Sequence, residues 1–252
     1  MLTIIQVGHN DASDRYIRNK VKAITEAGME AEVINIDENC STQYVIDVIN
    51  REKNKWRCRA IMVQLPLPDH LDKDRILRSI PEYMDIDGLN PVGKYQPLTP
   101  CAIMRWLNEQ SISVEGKNVV ILGRSELVGK PLANMMIDAG ATVIVCNSKT
   151  DQWWRDSYCF YADILISAVG KPNTIRLKHV QTNSKDRVII DVGINRDENG
   201  KLCGDVHPRV KKILDKEDTS ICTPVPGGVG KWTVRELVLR LGKMESNHAD
   251  DP

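Results

Sequence analysis

The sequence predicts an α/β protein folded as two α/β lobes with a cleft between them. Three observations carry that prediction. Short apolar, β-branched runs alternate along the 252 residues with stretches whose apolar positions recur at three- and four-residue spacing. That is the pattern of buried parallel strands separated by amphipathic helices. Several of the apolar runs end in glycine or proline loops, which is where parallel sheets build their sites. The run from Lys117 to Thr150, KNVVILGRSELVGKPLANMMIDAGATVIVCNSKT, then reads without a break as strand, glycine turn, helix and strand.

Taken in order, residues 2–7 (LTIIQV) form a strand, and a turn over 8–12 leads into a helix over 14–27. Ser13 or Asp14 is its expected cap and Gly28 its stop. Tyr16 and Lys20 lie four residues apart on it, hence on one face. Residues 32–36 form a second strand, and 42–54 an amphipathic helix with Val45, Val48 and Ile49 on its apolar side. A third strand over 60–63 runs straight into Gln64-Leu65-Pro66-Leu67-Pro68. A short helix over 72–80, the acidic turn Asp85-Ile86-Asp87-Gly88 and a helix over 101–109 follow. The lobes join near 110–116, so the expected domains are 1–115 with 233–252, and 116–232.

In the second lobe, the strand over 119–122 stops at Gly123, and Pro131 suits the first turn of a helix. Leu132, Met135, Met136 and Ala139 give that helix its apolar face, Gly140 ends it, and residues 142–146 form the next strand. Further strands are expected over 163–168, 188–192 and 220–223, with a turn over 197–201. The segment holding Trp153 and Trp154 follows neither period. The glycine-rich run at 223–230 opens a closing helix over 233–244, and residues 245–252 are expected to lack fixed structure.

A strand–glycine turn–helix unit places backbone N–H groups and a helix N-terminus where they hold an anion, so the second lobe reads as a Rossmann-like dinucleotide domain. Its glycines, Gly123 and Gly129, are spaced more widely than the common fingerprint, with Ser125 where the second glycine would fall. An NAD site normally has an acidic residue after the second strand, to hold the ribose hydroxyl. Here Asn147, Ser148 and Lys149 stand there, and Arg124 occupies the first turn. A cation and a hydroxyl suit a 2′-phosphate, which favours NADP. The plainer reading is an α/β turn without a cofactor.

Lys+Arg and Asp+Glu both number 34, so bulk charge draws the protein to neither nucleic acid nor an anionic membrane. No apolar run reaches spanning length, and no secretory signal pattern opens the sequence. The seven cysteines include no C-x-x-C pair and no zinc spacing, which predicts reduced thiols, a cytoplasmic setting and no metal. In the first lobe the polar candidates are Tyr16, Lys20, Gln64 and Asp87. Each has a plainer alternative: a packing tyrosine, a solvated lysine, a strand-end amide and a turn aspartate.

The motifs VQLPLP (63–68), DIDG (85–88), GRSELVGKP (123–131), DVGIN (191–195), GDV (204–206) and TPVPGGVG (223–230), with the Asp163–Gly170 strand and the Tyr16-x-x-x-Lys20 helix, together resemble the bifunctional methylenetetrahydrofolate dehydrogenase/methenyltetrahydrofolate cyclohydrolase family. The resemblance runs from about residue 2 to residue 242. It implies oxidation of 5,10-methylenetetrahydrofolate with NADP⁺, then hydrolysis to 10-formyltetrahydrofolate in one-carbon metabolism and purine biosynthesis. It also implies roles. Lys20 is the general acid/base, Gln64 holds it and orients water, Tyr16 stacks on the folate, and Asp87 grips the pterin edge. Pro226 and Gly227 let the backbone approach the folate. Gly123, Arg124, Ser125, Ser148 and Gly170 line the cofactor, with Ile194 beside its nicotinamide half. A homodimer through the cofactor domain is implied as well.

The sequence departs from that family in five places. Met1 directly precedes the first strand where a helix is usual, which predicts an uncovered apolar face. PLTP stands at 97–100, Asn147 replaces a histidine, and the Trp153–Trp154 segment is long. Lys231-Trp232 replaces a proline–methionine pair beside the substrate loop. A noncatalytic or monofunctional folate or nucleotide binder is the alternative these departures raise. A shikimate-type dehydrogenase is a third reading, against which the PVPGGVG and VQLPLP loops argue.

Overall fold

A computed structural model describes residues 1–180, 186–216 and 219–246, with backbone alone for Asp11 and Ala12. The chain divides into two compact units, Met1–Leu98 with Val234–Pro252, and Thr99–Thr233.

The first unit is a three-stranded parallel sheet in the order β2-β1-β3, made of β1 (Leu2–Val7), β2 (Ala31–Ile36) and β3 (Ala60–Val63). Leu2 to Val7 of β1 pair in register with Ala31 to Ile36 on one side, and Leu2 to Ile5 with Ala60 to Val63 on the other. The crossovers are α1 (Asp11–Glu26) and α2 (Thr42–Glu52), and α3 (Lys73–Arg78) follows β3. Helix α1 starts three residues earlier than expected. The carboxamide of Asn10 accepts from the Ser13 N–H at 3.2 Å, leaving Asp14 to accept from the buried Gln6 amide at 2.5 Å. The alternation of β1 and β3 sorts the core into two layers. Ile5, Val7, Ile61 and Val63 pack on α2 and α3, while Leu2, Ile4, Ala60 and Met62 face α1 and the C-terminal helix.

The second unit opens with α4 (Leu98–Glu109), then β4 (Asn118–Leu122), α5 (Gly129–Asp138), β5 (Thr142–Cys146), α6 (Gln152–Tyr161) and β6 (Ile164–Ser167). A 3-10 turn (Leu177–His179), β7 (Val188–Asp191), the hairpin β8–β9 (Asn195–Arg196, Leu202–Cys203), α7 (Pro208–Leu214) and β10 (Ile221–Cys222) complete it, and the last helix, α8 (Val229–Ser246), begins in this unit and from Val234 on belongs to the first. Five strands form a parallel sheet ordered β10-β7-β6-β4-β5. Strand order reverses at β4, and the carboxyl ends on either side of such a reversal are where open α/β sheets bind ligands.

Several boundaries differ from expectation for physical reasons. Ile103 and Leu107 of α4 pack with Val119 and Ile121 of β4, so α4 belongs to the second unit although the sequence placed it in the first. The unplaced tryptophan segment is α6, capped by the Asp151 carboxylate, which accepts from the Trp153 and Trp154 N–H groups. Trp153, Trp154 and Tyr161 all point outward, which hid its helical period. Helix α7 was not expected; Pro208 starts it and the His207 ring caps it. Helix α8 begins inside the glycine-rich run and holds Glu245 and Ser246, which the sequence assigned to an unstructured end; residues 247–252 lie outside the description.

Within the first unit, Leu237, Leu241 and Met244 of α8 are buried against β1 and α1 residues. Leu241→Ala should therefore lower unfolding stability by about 2–5 kcal/mol. Leu239→Ala, at a position 37% exposed, should change it by less than about 0.5 kcal/mol. Urea unfolding followed by far-UV dichroism checks the difference.

Candidate active site

Helix α1 carries Tyr16 and Lys20 one turn apart, and its packing on the β1/β3 face turns Lys20 inward at the carboxyl end of β3. Lys20 is only 3% exposed. Its Nζ donates to Gln64 Oε1 at 3.1 Å and meets Met62 Sδ at 3.1 Å, while the Tyr16 ring centroid lies 4.8 Å away. Gln64 follows β3 directly, and its backbone N–H extends the ladder to Ile5 O. Its Nε2 donates to Leu65 O at 2.6 Å, which orients the amide so that its oxygen faces the amine. A pocket of about 190 Å³ opens beside Gln64, with Ser13 and Pro66 in its wall.

Burial of the Lys20 ammonium disfavours its charged form and holds its pKa below the ordinary 10.5, with the negative charge of Asp87 opposing the shift. Burial likewise pushes the Asp87 carboxyl up, while Lys20 and then Arg240 pull it back. The turn that delivers Asp87 is tied from inside. Asp85 is fully buried and accepts from Gly88 N–H at 3.1 Å and Asn90 N–H at 2.7 Å. The Asn90 amide in turn donates to Ile80 O. Gly88 has φ +70°, and a Cβ there would stand 2.3 Å from Gln96 O, so the return strand of the loop lies directly over it. Arg240 reaches in from α8, 8% exposed, and its Nη1 donates to Ile86 O at 2.9 Å and Gln96 O at 2.8 Å.

In the second unit, the turn after β4 packs as a dinucleotide turn must. Gly123, at φ +108°, would put a Cβ 2.5 Å from Ala168 O, and a Cβ on Gly129 would stand 2.2 Å from Gly123 O. Both positions therefore require glycine, and α5 starts hard against the turn. Arg124 and Ser125 are exposed there, with the Ser125 hydroxyl accepting from Val128 N–H. Ser148 is exposed after β5, in a turn closed by Asn147, whose side chain accepts from Lys149 N–H at 2.8 Å. Gly170 follows β6 and Ile194, 60% exposed, follows β7, so these positions lie along one edge of the parallel sheet.

Two buried carboxylates lace that edge together. Asp205 accepts from the Ser167 hydroxyl at 2.7 Å and from the N–H groups of Val169, Gly170 and Lys171, and also from the Asn195 amide. Asp191 accepts from the N–H groups of Gly193, Asp205 and Val206; burial pushes its carboxyl up and those N–H groups oppose the shift. A Cβ at Gly193 or Gly204 would fall 2.0 Å or 1.9 Å from one of these carboxylate oxygens.

The four first-lobe candidates, Tyr16, Lys20, Gln64 and Asp87, all fall in one unit around Lys20. Pro226 and Gly227 belong to the second unit, exposed after β10, with a cis Val225–Pro226 peptide and Gly227 at φ +111°. Sequence reasoning missed Asp85, Arg240 and the bonding of Asp191 and Asp205. Arg240 did leave a signal, because it sits inside the apolar stripe Leu237, Leu241, Met244 of α8, where a solvated arginine has no place. Among the described residues no helix is long and apolar enough to cross a membrane, and no group of three or more His, Cys, Asp or Glu is placed to hold a metal ion.

The family model described as tetrahydrofolate dehydrogenase/cyclohydrolase, catalytic domain, matches residues 1–87, and its NAD(P)-binding domain matches residues 97–249. A bifunctional protein FolD of Streptococcus thermophilus is 41% identical over 246 residues, covering 94% of this chain and 84% of its own. The bifunctional FolD structure from Campylobacter jejuni superposes with a TM-score of 0.90 at 38% identity, covering 98% of this chain and 88% of that one. The Trypanosoma brucei methylenetetrahydrofolate dehydrogenase-cyclohydrolase, solved with NADP cofactor and an inhibitor, superposes at TM-score 0.90 and 31% identity over 99% of this chain and 87% of that one. Matched along both of its units, the chain belongs to the tetrahydrofolate dehydrogenase/cyclohydrolase family.

Proposed function

We propose that this protein oxidises 5,10-methylenetetrahydrofolate to 5,10-methenyltetrahydrofolate with NADP⁺ and hydrolyses that product to 10-formyltetrahydrofolate. The observation that carries the reading is the buried Lys20 amine held by Gln64, beside Tyr16 and Asp87. Asp87 accepts paired hydrogen bonds from the amino-pyrimidine edge of the pterin, and Tyr16 stacks on the folate rings. Pro226 and Gly227 offer backbone that a flat substrate can approach closely. Bound at the second unit, NADP⁺ accepts the hydride of the one-carbon bridge.

The hydrolytic step needs a base for water and then an acid for the ring nitrogen that leaves the one-carbon unit. An amine whose pKa is lowered from 10.5 serves both roles in turn. It takes a proton as water adds to the methenyl carbon and returns it to the departing nitrogen, while the carbinol hydroxyl releases its own proton to solvent as the formyl carbonyl forms. Gln64, fixed through Leu65 O, keeps the Lys20 nitrogen pointed at that carbon. The intact Lys20–Gln64 pair favours this reading over a noncatalytic binder.

The second unit fits NADP. Gly123 and Gly129 let the turn pack tightly on itself, so that the N-terminus of α5 is presented to the pyrophosphate, and Arg124, Ser125 and Ser148 stand exposed for the 2′-phosphate. Gly170 and Ile194 complete the cofactor edge. A homodimer through this unit is part of the same reading, supported by the position of β5 at the edge of its sheet among the described residues and by the exposed Val145 on it and Ile137 of α5. A cytoplasmic setting and no nucleic-acid partner accord with seven free cysteines and balanced charge.

Lys20→Met should lower both methenyl formation and methenyl hydrolysis by about 10²–10⁴-fold, read from the rise and decay of methenyl absorbance. Full cyclohydrolase activity in that variant would refute the role given to Lys20. In the wild-type protein the hydrolytic rate should rise with pH and level off with an inflection below 10.5, because the amine loses its proton earlier than a solvated lysine does. Arg124→Ala should raise the NADP⁺ KM by roughly 10- to 100-fold, the worth of a hydrogen bond to a charged group, and leave the NAD⁺ KM nearly unchanged. An equal loss for both nucleotides would remove Arg124 from the 2′-phosphate.

A further inference from the structure

Helix α8 carries a buried arginine that the reaction as described does not use. Arg240 lies in the apolar stripe Leu237, Leu241, Met244, 8% exposed, which is an unfavourable place for a guanidinium unless its charge and donors are engaged. Its Nη1 donates to Ile86 O at 2.9 Å and to Gln96 O at 2.8 Å, and its guanidinium carbon stands 5.3 Å from the Tyr95 ring centroid. Ile86 immediately precedes Asp87. Gln96 is the residue whose carbonyl lies over Gly88, and Leu98 N–H closes the loop on Asp87 O at 3.2 Å. One side chain thus fastens both ends of the loop that presents Asp87, and its positive charge acts on the Asp87 carboxylate.

We propose that Arg240 is the positioning residue for folate recognition: through Ile86 O and Gln96 O it holds the 86–96 loop closed and sets a positive charge beside the carboxylate that meets the amino-pyrimidine edge of the pterin. The proposal rests on the reading of Asp87 given above. A carboxylate accepts from both donors of that edge, whereas a carboxylic acid presents a proton to one of them. Removing the guanidinium charge therefore raises the pH below which folate binding weakens. Lys20 faces the same carboxylate from α1, Asp85 lies two residues before it in the turn, and Glu236 lies one helical turn before Arg240 on α8; β3 contributes the neutral Met62 and Gln64. Within this set, Lys20 and Arg240 are the groups that draw the Asp87 carboxyl down.

The test is tetrahydrofolate binding by calorimetry from pH 5 to 9 in the wild type, Arg240→Gln, Arg240→Lys and Asp87→Asn. Arg240→Gln keeps donors for the carbonyls but loses the charge, so its Kd–pH curve should move toward higher pH. On the sloping limb, tetrahydrofolate should bind more weakly than in the wild type at the same pH. Arg240→Lys keeps the charge and should track the wild type. In a Lys20→Met background the displacement caused by Arg240→Gln should grow, because Arg240 then acts on Asp87 without Lys20. A curve for Arg240→Gln that superimposes on the wild type overturns the proposal, and so does an equal displacement in Arg240→Lys. If Arg240→Gln does not fold, Arg240→Lys decides alone: a wild-type curve supports the charge role and a displaced curve refutes it. Unchanged binding in Asp87→Asn would instead overturn the reading of Asp87 itself, and this inference with it.

Discussion

A buried ammonium is the constraint around which the first unit is arranged. Taking Lys20 to 3% exposure removes its water, and an unpaired charge there would cost several kcal/mol. The surroundings answer with one oriented amide, one thioether, one aromatic face and one carboxylate at a distance. That set holds the amine but does not offset the cost of its burial, so its pKa falls below the ordinary 10.5. The lowered pKa is thus the direct result of how little stabilises the cation, and it is the property that acid–base chemistry at a one-carbon centre needs. Asp87 in its turn needs positive charge nearby, which brings in Arg240. Asp85 and Gly88 then shape the turn on which Asp87 sits.

The second unit solves a different problem by similar means. Five parallel strands end along one edge in loops full of backbone N–H groups that the sheet no longer pairs. Asp191 and Asp205 take up eight such donors and hydroxyl or amide groups between them, so the loops after β6 and β7 are fixed without any regular structure. The glycines beside them, Gly193 and Gly204, are there because the carboxylates occupy the space a Cβ would need. DVGIN and GDV are therefore a brace for the cofactor edge, while Arg124, Ser125 and Ser148 remain exposed on it.

Much of this was legible in the sequence where periodicity is strong. The strands at 2–7, 60–63 and 119–122 are largely apolar runs buried on both faces, and the helix bearing Tyr16 and Lys20 has a clear apolar side. Legibility failed where local pattern and tertiary role part company. Helix α6 points Trp153, Trp154 and Tyr161 outward, so its large apolar residues do not mark a buried face and its period stays hidden in the sequence. Helix α4 was assigned to the wrong side of the boundary because the polar linker after it looked like a natural division, while its Ile103 and Leu107 pack onto β4.

What the sequence alone determined was the kind of fold, the order of its most strongly patterned strands and helices, and the polar residues to be weighed as site candidates. Those follow from apolar spacing, turn residues and motif order, which are local properties of the chain. Only the tertiary structure decided that Lys20 is buried, that Gln64 faces it, and that an arginine from the last helix holds the loop of Asp87. Burial and charge pairing depend on which distant segments share a neighbourhood: Lys20 and Gln64 are 44 residues apart, and Arg240 and Ile86 are 154 apart. The electric environment of a side chain comes from those neighbours, so the ionisation that makes the site work is a property of the fold.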